Sequence, residues 1–448
     1  MEGVKKAFKT LQKNLKAYTW WELTIFAIGS VSLFTLLFVL FFPLGSGPST
    51  FTTSGVVPPV SSPGFVDMLS DSLTLPVRQG DPITILNNGD SFLKSFLADI
   101  DGAHSSINIM VYIWSDGKMS NQVLEHLDEK LKQGVQVRIM IDAYGSKTNT
   151  PTKEFNTFKG LGGKISTFHS FTIAPWDFAK NQVRNHRRAI VIDGNIGYTG
   201  GMTVSDPWLG NAGSPKEYRD MMFRTTGPMV HDIQGIFSEL WTSMTGELLV
   251  GDTFYPQTSS AQQKSALEYI PLASVPSPDS LVMQKFVLLS LLGAQQKIYI
   301  TTPYFLPDAS FRNALIAKAK AGVDVRILVP NAYNDTPSLR YASRYWYEDL
   351  LNAGVKIYEY QPTFIHSKSI IIDDDWSIIG SANMDNRSRK LNDEDIFGVS
   401  DTVFGAALEN TFLEDLNQAK QINLTEWKKR SIWERIREVF DQKFVVQY

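Results

Sequence analysis

Cysteine is absent from the 448 residues. Disulfides, thiolate metal sites and a cysteine nucleophile are thereby excluded, and the absence fits either side of a membrane. Histidine is scarce, at six, so the setting of each can be judged singly. A dominant charge of one sign is also missing. Lys and Arg number 43 against 46 Asp and Glu, a net charge of −3. The overall basic footprint of a nucleic-acid binder is therefore lacking, and only a local basic groove stays open. What is present is ordinary globular composition, 43% hydrophobic and 20% charged. That is enough core for two or three domains or one double domain.

One long apolar run stands out. Leu23 to Phe42 carries no charge, and at about 1.5 Å per residue it just crosses a ~30 Å hydrocarbon core. Lys5, Lys6, Lys9, Lys13 and Lys16 precede it, followed by Tyr18, Trp20 and Trp21. Lysines outside aromatics match an interfacial anchor. A cleaved signal peptide would have a shorter apolar core, and a core helix is rarely apolar all round beside a linker. The sequence therefore predicts a transmembrane helix. No Lys or Arg follows until Arg78, so the positive-inside rule puts the N-terminus in the cytoplasm and the body outside the cell membrane.

The remainder divides by pattern. Residues 1–44 are the lysine-rich segment and span, and 45–75, rich in Gly, Ser, Thr and Pro, read as a tether. From 76 onward the pattern is α/β. A strand at Ser106–Ile113, a helix at Asn121–Gly134 and a strand at Val135–Ile141 recur as Lys297–Thr302, Phe311–Gly322 and Val323–Val329. The recurrence predicts two homologous halves, 76–250 and 281–424, in one body with largely parallel or mixed sheets. A connector spans 251–280, and a basic tail spans 425–448.

Each half closes its repeat with the same segment. The second reads His366-Ser367-Lys368, then Asp373, then Gly380-Ser381-Ala382-Asn383. Strand alternation puts His366 and Lys368 on one face. The first reads His186-Arg187-Arg188, then Asp193, then Gly200-Gly201-Met202-Thr203. Splitting a phosphodiester needs a nucleophile, an acid for the leaving oxygen and cations for the phosphoryl charge. Two histidines can divide the first two tasks, and Lys368 and Arg188 can hold the oxygens. Asn383, Ser381, Thr203 and Gly201 are candidates for contact with substrate. No metal or other cofactor is called for, because His, Lys and Asn without clustered carboxylates make a poor cation site.

The H-x-K-x4-D segment followed by G-S-x-N resembles the signature of the phospholipase D superfamily, and its presence twice is similar to the two-repeat members. The resemblance runs from about Leu75 to Leu424. Asn185-His186-Arg187-Arg188, Tyr218-Arg219-Asp220, Thr302-Pro303-Tyr304-Phe305 and Gly380-Ser381-Ala382-Asn383-Met384-Asp385 are similar to bacterial cardiolipin synthases. The resemblance implies a phosphohistidine on one histidine, His186, and acid/base work by the other, His366. It also implies that a carboxylate downstream of each histidine fixes its ring: Asp220 in the first half and Glu394 in the second. Asp193 and Asp373 are then structural. The implied substrate is a phospholipid, phosphatidylglycerol, at a membrane, with no nucleic acid.

Alternatives stay open at this level. Water in place of an alcohol gives a hydrolytic phospholipase D or a nuclease. Arg188 and Thr203, which depart from the pattern, admit a catalytically weak lipid-binding protein. Arg340 and Arg344 form an i, i+4 pair able to greet an anionic headgroup. In the tail, Trp433, Ile436, Phe440 and Phe444 form one stripe among basic residues, which suits either a helix on anionic lipid or a helix packed on the body.

Overall fold

The computed structural model describes residues 19–41, 50–147, 149–170, 181–257, 267–276 and 281–445. Residues 1–47 and 48–448 are two separate units. In the first, a helix runs from Trp20 to Phe41, along the apolar run. Among the described residues, no helix is long and apolar enough to cross a membrane.

The second unit is a mixed α/β body. Its described strands form one sheet of seven and one of ten. The seven-stranded sheet runs in the order Thr84–Asn87, Met221–Thr226, Ile196–Gly200, Ala189–Ile192, Ser106–Val111, Gln136–Asp142, Lys164–Phe168. The other repeats this core with Asn392–Ser400, Trp376–Gly380, Ser369–Ile372, Lys297–Thr301, Asp324–Pro330 and Lys356–Tyr360. The Ser106 strand is buried along its whole length, as strands covered on both faces are.

Three expectations need correction. The sheets are not largely parallel. Among the described strands, parallel pairing joins the Ser106, Gln136 and Lys164 strands, their Lys297, Asp324 and Lys356 counterparts, and Arg184–Asn185 with Asn392–Asp393. The motif strands turn back tightly at Asp193 and Asp373, and such hairpins are antiparallel. The second part of the expected tether is not a tether. Pro63–Leu73 is a helix that buries Phe65, Val66 and Leu69 in the core of the second half. Phe65 meets Trp376 edge-on at 5.3 Å, and Val60 N donates to Gly293 O. Finally, the connector contains a strand, Glu268–Ser274, paired with Asn392–Ser400. Arg78–Gln79 joins that strand too, so the first half lends its opening residues to the other sheet.

Candidate active site

Both histidines stand just before a buried motif strand. Ala189–Ile192 follows His186, and Ser369–Ile372 follows His366. At the far end of each strand an aspartate takes a left-handed backbone, φ 53° at Asp193 and 52° at Asp373. Asp193 accepts from the backbone N–H groups of His104, Ser105 and Ser106, and Asp373 from Gln295, Gln296 and Lys297. These turns fix the strand ends, well away from the histidines.

The carboxylates that hold the rings come from across the molecule. His186 Nδ1 lies 2.9 and 3.0 Å from Glu394 Oε2 and Oε1, and His366 Nδ1 lies 2.7 Å from Asp220 Oδ2. This corrects the sequence-level pairing, in which each carboxylate serves the histidine of its own half. Backbone pairing between the halves enforces the exchange. His186 N donates to Asp393 O at 2.9 Å, and His366 N to Arg219 O at 2.7 Å.

The residues after each glycine support these carboxylates, and the two halves do it differently. Ser381 Oγ donates to Glu394 Oε2 at 2.5 Å and Ser388 Oγ to Oε1 at 2.6 Å. At Gly201, the counterpart of Ser381, a Cβ would lie 2.2 Å from Asp220 Oδ1. The space is filled by the carboxylate itself, and Trp208 Nε1 supplies the donor at 2.9 Å. Ser381 and Gly201 therefore position a carboxylate, which corrects their assignment to substrate. Trp208 and Ser388 were not legible as site residues. Ser388 carries a weak signal, six positions before Glu394. Trp208 ends a single 3-10 turn, Asp206–Trp208, and carries none.

The cations lie beside the rings. Lys368 Nζ is within 3.0 Å of both ring nitrogens of His366. The Arg188 guanidinium donates to the His186 carbonyl, its backbone N donates to Asp395 at 2.9 Å, and it lies 5.9 Å from the Tyr112 ring. Lys368 and Asn383 line one small cavity of about 50 Å³. Asn383 Oδ1, Thr203 Oγ1 and Arg188 Nε are buried without a partner among the described residues. No group of three or more His, Asp or Glu among the described residues could hold a metal ion.

Burial and like charge set the protonation states. Burial, with Arg188 and Lys368, holds His186 well below its usual value. Burial and Lys368 bring His366 down to about 4, and Asp220 opposes them. Burial lowers Lys368 to about 7. Burial pushes Asp220 up, but the charges of His366 and Lys368 outweigh it and take the carboxyl down to about 2. Burial raises Glu394 against its hydrogen bonds from Ser381 and Ser388. Both imidazoles are thus neutral at pH 7 before an anion arrives, each with Nδ1 on a carboxylate, and Lys368 Nζ stands against Nε2 of His366.

The family described as "Cardiolipin synthase, PLD-like domain" matches residues 96–241 and 288–416. The chain belongs to this phospholipase D-like family. Cardiolipin synthase of Geobacillus kaustophilus is 34% identical over 81% of this chain and 72% of its own. Cardiolipin synthase A of Wigglesworthia glossinidia brevipalpis is 32% identical over 81% and 73%. Cardiolipin synthase 1 of Staphylococcus aureus is 33% identical over 78% and 70%. In fold, the chain is similar to phosphatidylserine synthase of Haemophilus influenzae, with a TM-score of 0.65 over 85% of this chain and 97% of that one, at 14% identity. The chain is accordingly a phospholipid phosphatidyltransferase of the phospholipase D type.

Proposed function

We propose that the chain makes cardiolipin from two molecules of phosphatidylglycerol at a membrane, through a phosphohistidine on His186. The observation that supports this most is the pair of neutral imidazoles, each fixed through Nδ1 by a carboxylate of the opposite half. A neutral His186 offers the Nε2 lone pair to phosphorus. Substrate binding draws Lys368 off the His366 ring, and His366 takes a proton from solvent on Nε2. The P–N bond then forms as the bond to the leaving glycerol oxygen breaks, and that oxygen receives the Nε2 proton of His366. His366 then takes the proton of the second lipid's hydroxyl, which attacks phosphorus and frees His186.

His366 suits the acid/base role. Asp220 opposes the burial and the Lys368 charge that lower its pKa, and a bound phosphate draws the Lys368 ammonium from the ring and makes protonation easier. Lys368 and Arg188 would carry the phosphoryl charge, and Asn383 and Thr203 would meet its oxygens. The helix at Trp20–Phe41, charged only at Glu22 in its first turn, with lysines before it, supports a single-pass anchor with the N-terminus in the cytoplasm. The two halves, 76–250 and 281–424, act as one catalytic body.

The test is incubation of the purified chain with labelled phosphatidylglycerol. Cardiolipin and glycerol are expected. Phosphatidic acid would replace the reading with a hydrolase. Release of neither, at the level of a His366→Ala control, would end it. A phosphoenzyme trapped by rapid quench in alkaline detergent, where the P–N bond survives, should be lost in His186→Ala.

A further inference from the structure

The C-terminal helix Ile432–Val445 is mounted with its polar side inward. It rests on the helix Pro337–Arg344. Glu438 is 1% exposed and accepts from Arg344 Nε at 3.1 Å and Arg430 Nε at 3.0 Å. Glu434 takes Arg344 Nη2 at 3.3 Å. Arg344 and Arg430 also lie 4.5 and 4.4 Å from the Trp427 ring, which is buried. Arg344 is therefore committed to this latch and Arg340 to Glu359, which removes both from the headgroup role open to them in the sequence. Ion pairs mount the helix, and its apolar side is left outside.

That outer side is large. Ile432 is 64% exposed, Trp433 76%, Ile436 51% and Val439 41%. Their spacing places them on one face. An ordinary surface helix buries such a stripe, and exposed apolar patches of this kind mark contact with a protein or a membrane. Charge selects between them. The acids Glu434 and Glu438 point at Arg344, whereas Lys428, Lys429 and Arg437 remain at the surface, Lys429 beside Glu426 and Arg437 beside Asp441. Arg437 lies 3.9 Å over the Tyr341 ring. An apolar stripe with a basic rim fits the interface of an anionic bilayer.

The helix also stands on the same edge of the body as the site. Pro337–Arg344 follows Asp324–Pro330, and Ser369, just after Lys368, pairs with Thr301. Both features thus lie at the C-terminal ends of the parallel strands Lys297–Thr301 and Asp324–Pro330. Pro303, Tyr304 and Phe305 share one pocket wall with Arg340 and Ser343. Tyr304 in turn lies 6.4 Å from Phe364, which lies 5.6 Å from His366.

We propose that the Ile432–Val445 helix docks into the surface of an anionic bilayer and brings the histidine edge of the body against the lipid. This deepens the lipid reading of the site and rests on it for the substrate, but it concerns a separate surface. The absence of cysteine makes a clean probe available. The full chain carrying Ile436→Cys, labelled with a polarity-sensitive dye, is reconstituted into vesicles of phosphatidylglycerol and phosphatidylcholine that contain nitroxide-bearing lipid. The same label at Glu125→Cys, on an exposed position of the helix Lys118–Lys132, is the control.

The dye at 436 should shift to the blue and be quenched, several-fold less when phosphatidylglycerol is omitted, and the control should not respond. A dye at 436 that reports water, or that is shielded by cross-linking to a second copy, overturns the proposal. A Trp433→Glu/Ile436→Glu chain should lose about tenfold in turnover on vesicles and keep its rate in detergent micelles. Equal loss in both overturns it as well. The dye readout needs no turnover, so an inactive chain with a buried label would sink the functional reading and leave this one standing.

Discussion

The two halves hold their histidines by the same exchange and support it with different chemistry. Around Glu394, which faces His186, two hydroxyls and Asn392 donate to a carboxyl that burial has raised. Around Asp220, which faces His366, an indole donates, Gly201 clears the space, and Lys368 helps bring the carboxyl to about 2. The first carboxylate is held chiefly by neutral donors, with the Arg188 charge added, and the second chiefly by charge, with the Trp208 indole added. A nucleophile needs a ring kept neutral and correctly turned. An acid/base needs a ring whose charge can be stabilised when it appears. The unequal supports match that division of labour.

The comparison can be broken most severely at the rings. His186→Ala should abolish transfer to every substrate. His366→Ala should cost about 10²–10⁴-fold with lipid but far less with a phosphodiester whose leaving phenol needs no proton. Equal loss on both substrates would remove the division. Next come the carboxylates. Glu394→Gln should slow formation of the phosphoenzyme, and Asp220→Asn should slow the step that needs a proton, each by two to four orders of magnitude (about 10²–10⁴). Rapid-quench experiments in alkaline detergent separate them. Gly201→Ala, which drives a methyl into Asp220, should copy Asp220→Asn.

A smaller effect lies in pH. Lys368 is lowered to about 7, so the free enzyme loses its phosphate-binding charge as pH rises through about 7. The logarithm of kcat/KM should fall above that point, and Lys368→Arg should move the fall upward. For stability, Asp220 is depressed to about 2. Its contribution is full above its unfolded value and is lost progressively as pH falls from there through about 2. An acid titration followed by circular dichroism should show Asp220→Asn insensitive in that window. The smallest change expected is Arg188→Lys, which keeps the cation, within about tenfold in turnover.

The repeat and its strands were legible because their hydrophobic runs and the His-x-Lys or His-x-Arg spacing are local. The boundaries near Asn121 and Phe311 shifted by a few residues, to Lys118 and Ala309. The exchange of carboxylates was not legible. It depends on Arg184–Asn185 meeting Asn392–Asp393, and pairing over that sequence distance leaves no periodic trace. The roles of Gly201 and Ser381 were misread for the same reason, since each answers to a carboxylate from a neighbouring strand. Phe65 and Leu69 looked like linker because the surrounding prolines and serines hid a short helix that finds its core only in the other half.

The reciprocal exchange has a consequence for ancestry. Residue i of one half serving residue j of the other, and the reverse, is the pattern of a twofold interface between identical subunits. A chain carrying a single repeat would hold a histidine with no carboxylate beside it, and two such chains would complete each other. Joining the copies in one polypeptide freed each from that symmetry. One side can then serve its carboxylate with a glycine and the Trp208 indole, and the other with two serine hydroxyls.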